Sequence, residues 1–286
     1  MVDKFNEAKK YYDDVIYAPN KYIAFEPAGN LKKEDVYQSI LYALKESGEA
    51  RTISHSNKNT QRTPIEIYKN QLIGKLGEFA TYECLKRMYP NQHVDRPDTT
   101  ILGKGKWDVG DLFVVNHGSR EKWQIKTTMH SYSQFLLLVT HDYDLDGKYI
   151  FNSNNSDTKI DYDKFIFQRI KYENNDDQNF LYQKIYKAKD KIINNSNPID
   201  LIKRGFEYYL KEEPNFQYED FHYITKKELI ENIINNSHIM YKGQHFIGSA
   251  KRRPILGKTH STKLIDTNYY VEVFDMHKAK ELYSGD

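Results

Sequence analysis

Apolar residues recur at helical spacing in two stretches before residue 90. From 31 to 48 they follow helical steps until a glycine ends the run, and from 65 to 88 they recur every three or four positions until Pro90. This spacing places one apolar stripe on each segment. The sequence therefore predicts two amphipathic helices, separated by a polar loop that Pro64 closes.

Four later runs have the pattern of strands. They are rich in β-branched and aromatic residues and lie at 111–116, 122–128, 134–140 and 164–170. The first two are close enough to form a hairpin. Further helices are predicted at 178–193, 198–211 and 225–236, and a further strand at 269–274 that is expected to add to the sheet. This order predicts an α/β (α+β) fold with a mixed sheet flanked by helices.

Composition limits the class of protein. With 39% hydrophobic and 14% aromatic residues the chain is expected to be globular, and a net charge of +2 gives no overall attraction to a polyanion. A single cysteine, Cys84, excludes an internal disulfide framework and a Cys-rich zinc site, and it is expected to be a small core residue. The longest apolar run, at 135–139, is too short to span a bilayer, and no signal-peptide pattern precedes it. We expect a cytoplasmic protein without a membrane partner.

The candidate catalytic residues lie on the predicted hairpin. Asp111 opens its first strand, and Gln124 and Lys126 lie two apart on the second, so they share one face while Ile125 lies on the other. A polar pair in an otherwise apolar strand indicates a face that meets solvent or a ligand. Hard oxygen ligands with a nearby lysine are what Mg²⁺-dependent phosphodiester hydrolysis requires.

The segments GKLGE (74–78), WDVGD (107–111) and QIK (124–126) resemble the PD-(D/E)xK phosphodiesterases, a family that includes many restriction endonucleases and Holliday junction resolvases. The resemblance implies a restriction-endonuclease-like core. It implies that Asp111, Gln124 and the backbone carbonyl of Ile125 ligate Mg²⁺. Lys126 would position or deprotonate the attacking water, and Glu78 would bind through water or take a second ion.

One position departs from the family pattern. Gln124 stands where an acid is expected, and its amide oxygen can ligate Mg²⁺ without contributing charge. Some branches of the family, including Mrr-like nucleases, use Gln-x-Lys. Asp108 is an alternative ligand to Asp111, and Gly74, one turn before Glu78, is expected to leave room for the metal cluster or a close-packed strand.

Two basic segments are candidates for DNA contact, with ordinary solvated loops as the alternative. Their candidate residues are Arg51, His55, Asn57, Lys58 and Arg62 in the first, and Arg252, Arg253 and Lys258 in the second. A third motif, three aspartates at 142, 144 and 146, resembles the start of a calcium-binding loop. Its twelfth position is Ser153, not Glu, so a solvated turn is expected instead.

The predicted function is a Mg²⁺-dependent type II restriction endonuclease. It would act as a homodimer on double-stranded DNA and leave 5′-phosphate ends, since two strands of a palindrome call for two centres. The alternatives are a structure-specific nuclease, a modification-dependent Mrr-like nuclease, and a DNA-binding protein with a decayed site. The expected organisation is a helical segment and DNA-contacting arm at 1–64, a catalytic core at 65–172, and a recognition or dimerisation extension at 173–286 packed on the same domain.

Overall fold

The three longest helices in the part of the chain that the structure describes include the two predicted first. A computed structural model describes residues 15–17, 19–48, 63–100, 111–116, 118–153, 156–173, 180–246 and 262–283. The three helices are α1 (Lys33–Gly48), α2 (Pro64–Met88) and α3 (Pro198–Tyr209). Shorter helical segments are Phe180–Lys184, Ile185–Lys187, Lys189–Ile193, Lys226–Glu228 and Leu229–Ile234, with 3₁₀ turns at Thr140–Asp142, Val273–Asp275 and Ala279–Glu281.

Helix α2 begins where its sequence supplies a cap. The Glu66 N–H donates to Thr63 Oγ1 at 3.4 Å, and the Thr63 N–H donates to Glu66 Oε2 at 2.7 Å. Pro64 occupies the first helical position, where its missing N–H costs nothing. The helix ends at Met88, two residues before Pro90, and so the predicted helix is confirmed.

Five of the fifteen strands in the described ranges fall where the sequence predicted them, and the other ten were not predicted. The strands are β1 (Val15–Tyr17), β2 (Gly29–Asn30), β3 (Leu112–Asn116), β4 (Ser119–Thr128), β5 (Phe135–Val139), β6 (Tyr149–Ser153), β7 (Ser156–Ile160), β8 (Lys164–Tyr172), β9 (Phe216–Tyr218), β10 (His222–Thr225), β11 (Ile239–Met240), β12 (His245–Phe246), β13 (Thr262–Lys263), β14 (Asn268–Glu272) and β15 (His277–Lys278). All four strands predicted between 111 and 170 are present.

A mixed seven-stranded sheet organises the molecule. Its strand order is β15-β10-β8-β4-β3, with β9 beside the far end of β8 and β2 beside β9. Strands β4 and β8 are parallel, whereas the other pairs in this sheet are antiparallel. The predicted strand at 269–274 corresponds to β14, which joins β5 and β11 in a separate sheet rather than this one. The fold is α+β.

Each face of the seven-stranded sheet covers its own core. Ile166 and Ile170 of β8 pack with Trp123 of β4 and with the helices, in a cluster we call the helix-side core. The alternate residues Phe165 and Phe167 pack with β5, β14 and the helical segment at 229–234, in a cluster we call the sheet-side core. Because successive side chains of a strand point to opposite faces, the sheet lies between two layers. The helix-side core also contains Val36 and Phe206, from the N-terminal and C-terminal predicted segments.

Residues 19–26 form an extended strap held by buried side chains of the sheets. The Asn20 N–H and amide group donate to the two oxygens of Glu272, each at 2.8 Å. Gln134 accepts from the Ile23 N–H at 2.7 Å and donates to the Ile23 carbonyl at 3.0 Å. Arg169, with no exposed surface, donates to that same carbonyl at 2.9 Å. The strap is therefore part of the packed structure.

Of the remaining predictions, one differs in detail from the structure and two are confirmed. The helix predicted at 178–193 is a series of three short helical segments from Phe180 to Ile193. The segment at 226–234 begins with the expected capping box of Thr225 and Glu228. The Asp-rich motif is a turn in which Asp144 accepts from the Lys148 N–H at 2.8 Å. Within the described ranges, no helix combines the length and apolar character needed to cross a bilayer.

Candidate active site at the β3–β4 hairpin

Asp111 lies directly before β3, beside the middle of β4. The register that pairs Leu112 with Trp123 brings Asp111 level with Gln124. The Ile125 N–H donates to Asp111 Oδ2 at 2.6 Å. Since the N–H and C=O of one strand residue point to the same edge, the Ile125 carbonyl also faces Asp111. Two of the oxygen donors predicted from the sequence therefore lie at one edge of β4.

Gln124 is covered, whereas the sequence predicted a face open to solvent or ligand. Only 4% of its surface is exposed, because the sheet-side core lies over this face of β4. Its amide oxygen accepts a hydrogen bond from the hydroxyl of Tyr143, itself buried. The side chain is thus fixed in the protein rather than presented to water.

Tyr143 acts as a donor in this contact. Burial holds its pKa well above the usual value, and the charges of Asp142 and Asp111 add to the shift along with neighbouring tyrosines. The phenol therefore keeps its proton at neutral pH. Asp111 is level with Gln124 in the hairpin register, and directly opposed residues of two antiparallel strands project to the same face, so the Asp111 carboxylate lies on the same face of the hairpin as Gln124.

Lys126 leaves β4 on the same face as Gln124. It is half-buried, and its register neighbour on β8 is Phe167 of the sheet-side core. In the ranges that the structure describes, no carboxylate forms an ion pair with Lys126. Its ammonium group is therefore not neutralised by a described acid, and it can act on an anion brought next to the hairpin.

Glu78 lies on α2 and has its own cationic partner. Its Oε2 is 2.5 Å from Lys75 Nζ, one turn earlier, and Lys75 is 2% exposed. Lys75 also donates to the backbone carbonyl of Asp98 at 2.7 Å. Sequence reasoning missed Lys75, although the i,i+3 spacing in GKLGE is a signal for such a pair. The negative charge of Glu78 is therefore balanced by a buried lysine.

Helix α2 meets β4 at Gly77, not at Gly74. A Cβ atom on Gly77 would lie 1.7 Å from Thr127 Oγ1, whereas one on Gly74 would meet no described atom within 4 Å. Thr127 thus faces the helix, and its neighbour Lys126 leaves the opposite face. Glu78 accordingly approaches β4 from the helix side, and the side chains of Gln124 and Lys126 lie across the strand from it.

The donor set at the hairpin partly fits a divalent cation. Asp111 and the Ile125 carbonyl are hard oxygen donors at one edge, of the kind Mg²⁺ prefers. The Gln124 oxygen keeps one lone pair after accepting from Tyr143. Among the described residues, no group of three or more His, Cys, Asp or Glu side chains could share a metal ion. Cation binding at this edge of β4 would therefore depend on few negative charges, and mainly on that of Asp111.

Several of the predicted site residues lie outside the described ranges. Asp108 is outside, as are all eight candidates for DNA contact: Arg51, His55, Asn57, Lys58, Arg62, Arg252, Arg253 and Lys258. No protein-family profile, curated protein or solved structure matches this chain. A reaction can therefore be inferred only from the chain's own residues.

A basic surface that the sequence did not single out lies on the helical segments after residue 180. Lys184, Lys187 and Lys191 are exposed, one on each of three consecutive helical segments, and we call this set the lysine ridge. The Lys184 ammonium lies 4.6 Å from the ring centre of Tyr209, which is 55% exposed. Cations next to an exposed aromatic ring suit the backbone and bases of a nucleic acid.

Proposed function

We propose that the chain is a Mg²⁺-dependent endodeoxyribonuclease of the PD-(D/E)xK type. The observation that carries this proposal is the contact of the Asp111 carboxylate with the Ile125 amide, beside Gln124 and Lys126. A helix before an antiparallel hairpin is the arrangement that the sequence resemblance implies. Lys126, which no described acid neutralises, adds the cation that such chemistry requires.

The residues divide the work between holding a cation and activating water. Asp111 and the Ile125 carbonyl would hold Mg²⁺, with the Gln124 oxygen as a neutral third donor. Bound Mg²⁺ would stabilise negative charge on the phosphate and lower the pKa of water. Lys126, as the ammonium, would stabilise charge at the scissile phosphate and position the attacking water. Glu78 would bind through water or take a second ion from the helix side of β4, and its negative charge would be partly neutralised by Lys75.

The finer proposal is a type II restriction endonuclease. A homodimer would present two hairpins to the two strands of a palindromic site and leave 5′-phosphate ends. The DNA backbone would be held by the two basic segments at 51–62 and 251–263, together with the lysine ridge. The net charge of the chain is only +2, so it does not attract DNA. The attraction must come from local clusters of basic residues.

The test is incubation of plasmid DNA with the protein and Mg²⁺, followed by sequencing of the ends. Discrete fragments support restriction, preference for branched DNA supports a structure-specific nuclease, and cutting of modified DNA alone supports an Mrr-like enzyme. Lys126→Ala should abolish cutting while DNA binding remains measurable. The matched control is Lys122→Ala, on the same strand and face, which should keep activity. A fully active Lys126→Ala variant, or DNA binding without cutting by the wild type, would refute the nuclease proposal.

A further inference from the structure

Two turns beside the sheet of β11, β14 and β5 are joined by hydrogen bonds. One turn, at 241–244, connects β11 to β12, and the other, at 264–267, connects β13 to β14. The Gly243 N–H donates to the Leu264 carbonyl at 2.9 Å, and the Leu264 N–H donates to the Gln244 carbonyl at 2.8 Å. The two turns therefore form one unit, which we call the double turn.

The double turn is held by a small core and by a side-chain contact of its own. Met240 and Leu264 pack with Phe135 of β5, and all three side chains are buried. Within the first turn, the Tyr241 N–H donates to Gln244 Oε1 at 2.8 Å. The side chains that project from the double turn are therefore presented on a packed support.

Two large apolar side chains project from the double turn into solvent, one from each turn. Ile265 is 70% exposed and Tyr241 is 55% exposed. Single apolar residues scattered over a surface are ordinary, whereas neighbouring ones indicate a surface that a partner covers. Covering side chains of this size is also favourable, because it removes apolar area from water. The double turn is therefore a candidate contact surface.

The exposed charges on and beside the double turn are positive. Lys242 and Lys263 are exposed, and neither forms an ion pair with an acid in the part of the chain that the structure describes. The acid of the double turn, Asp266, is covered by the protein. On the adjoining 3₁₀ turn, Asp142 lies 3.6 Å from the ring nitrogen of His141. The surface therefore combines apolar side chains with unneutralised cations.

The connection between β12 and β13 starts and ends beside the double turn. These strands are antiparallel neighbours, and Phe246 pairs with Thr262. The sequence of this connection includes Arg252, Arg253 and Lys258, which are predicted to contact DNA. The sequence prediction and the two exposed lysines therefore concern the same part of the chain.

A nucleic acid fits this surface better than a protein or a membrane does. Lysine is depleted where proteins bind each other, whereas lysine and arginine make the contacts to DNA phosphates. Two apolar side chains are too few to hold a protein stably at a bilayer, because that affinity grows with the apolar area inserted. In a DNA groove, apolar side chains pack against base edges while nearby cations bind the backbone.

We propose that the double turn is a surface for double-stranded DNA. Lys242 and Lys263 bind phosphates, and Tyr241 and Ile265 pack in the groove between them. The choice of DNA as the partner rests on the proposed function. The contact itself does not involve the candidate active site, so binding at the double turn and cutting at the hairpin can be tested separately.

The test measures the affinity of the full chain for a fluorescein-labelled DNA duplex by anisotropy, in EDTA so that no strand is cut. Replacing Lys242 and Lys263 together by glutamine should lower the slope of log affinity against log salt by up to about 1.8. Replacing Tyr241 and Ile265 together by alanine should weaken binding about 10-fold and leave that slope unchanged. The matched control is Lys227→Gln with Lys280→Gln, which removes two exposed lysines from other elements and should leave the slope unchanged.

Acetylation of lysines, read by mass spectrometry, tests the same contact in the unaltered protein. A saturating concentration of duplex should protect Lys242 and Lys263 from acetylation and leave Lys280 reactive. Equal acetylation of Lys242 and Lys263 with and without DNA would overturn the inference, whether or not the variants fold.

Failure of this inference differs from failure of the proposed function. If the wild type cuts DNA and both double variants bind duplex as the wild type does, the inference is wrong and the nuclease proposal stands. If duplex binding depends on the double turn but no DNA is cut, the inference stands and the nuclease proposal is wrong. If the alanine variant instead dissociates a dimer, or loses binding to phosphatidylserine vesicles, with DNA affinity unchanged, the surface belongs to a second copy or a membrane and the inference is overturned.

Discussion

Replacing Gly77 by alanine tests the contact that sets the distance between α2 and β4. The added Cβ would lie 1.7 Å from Thr127 Oγ1 and 2.6 Å from its Cβ and Cγ2 atoms. Comfortable carbon contacts lie near 3.5–4.0 Å, so helix and strand must separate. Thr127 cannot easily turn away, because β-branched side chains have few allowed rotamers. We expect Gly77→Ala to lower the free energy of unfolding by about 1–3 kcal/mol, the usual cost of overpacking a core.

Gly74→Ala is the matched control, one turn earlier on the same helix. Its Cβ meets no described atom within 4 Å, and so only the helix preference of alanine acts. That preference should stabilise the protein by roughly 0.5–1 kcal/mol. The two variants should therefore differ by about 1.5 kcal/mol or more in the free energy of unfolding.

Urea unfolding followed by circular dichroism measures this difference, provided that the slope with denaturant is unchanged. Because Thr127 follows Lys126, separation of α2 from β4 should also lower any cutting activity of the folded Gly77→Ala protein. If Gly77→Ala unfolds at the same urea concentration as Gly74→Ala, the close approach of α2 to Thr127 is wrong.

Two further predictions concern a buried ion pair and the lysine ridge. Arg169→Met should destabilise the protein by about 3–5 kcal/mol, since it leaves Glu219 buried without its cation. Burial already raises the pKa of Glu219 to about 7, and the loss of Arg169 would raise that pKa further. The stability lost in Arg169→Met, measured by thermal unfolding, should therefore be smaller at pH 5, where Glu219 is protonated, than at pH 8. An equal loss of stability at the two pH values would contradict this account. Replacing Lys184, Lys187 and Lys191 together by alanine should weaken DNA binding and reduce its salt dependence by up to about 0.9 per lysine; an unchanged salt slope would exclude the ridge from the interface.

The local elements could be predicted because their signals are local. Helix α2 carries a cap, a first-turn proline, a regular apolar stripe and a terminating proline within one segment. The hairpin of β3 and β4 was predicted because Asp111 and the QIK segment alternate with apolar residues over a short distance. Gln124 and Lys126 were placed on one face by that alternation alone.

The remaining features depend on pairings between distant segments. Strand β14 pairs with β5 across more than 100 residues, and no local pattern selects that partner over the seven-stranded sheet. Short strands such as β10 are buried on both faces, so they lack the alternation that marks an exposed strand. Tyr143 lies in an Asp-rich turn 19 residues beyond Gln124, and its hydroxyl contact was not predictable from either segment.

Burial of Gln124 was missed for a related reason. Two polar residues on one face of a strand indicate an exposed or ligand-facing surface, unless another layer covers that face. The second layer is built from β5, β14 and the helical segment at 229–234, which come from three separate parts of the chain. Only their assembly determines that Gln124 meets a phenol instead of water.

The strap at residues 19–26 has a consequence for the order of assembly. Asn20 binds Glu272 across 252 positions, and Ile23 binds Gln134 across 111. Closing so large a loop is slow compared with forming a local hairpin. During synthesis on the ribosome, residue 272 is made long after α2, β3 and β4, so the strap cannot complete its contacts until then. The hydrogen bonds that join Asn20 to Glu272 are therefore late contacts of folding, formed after the local hairpin of β3 and β4.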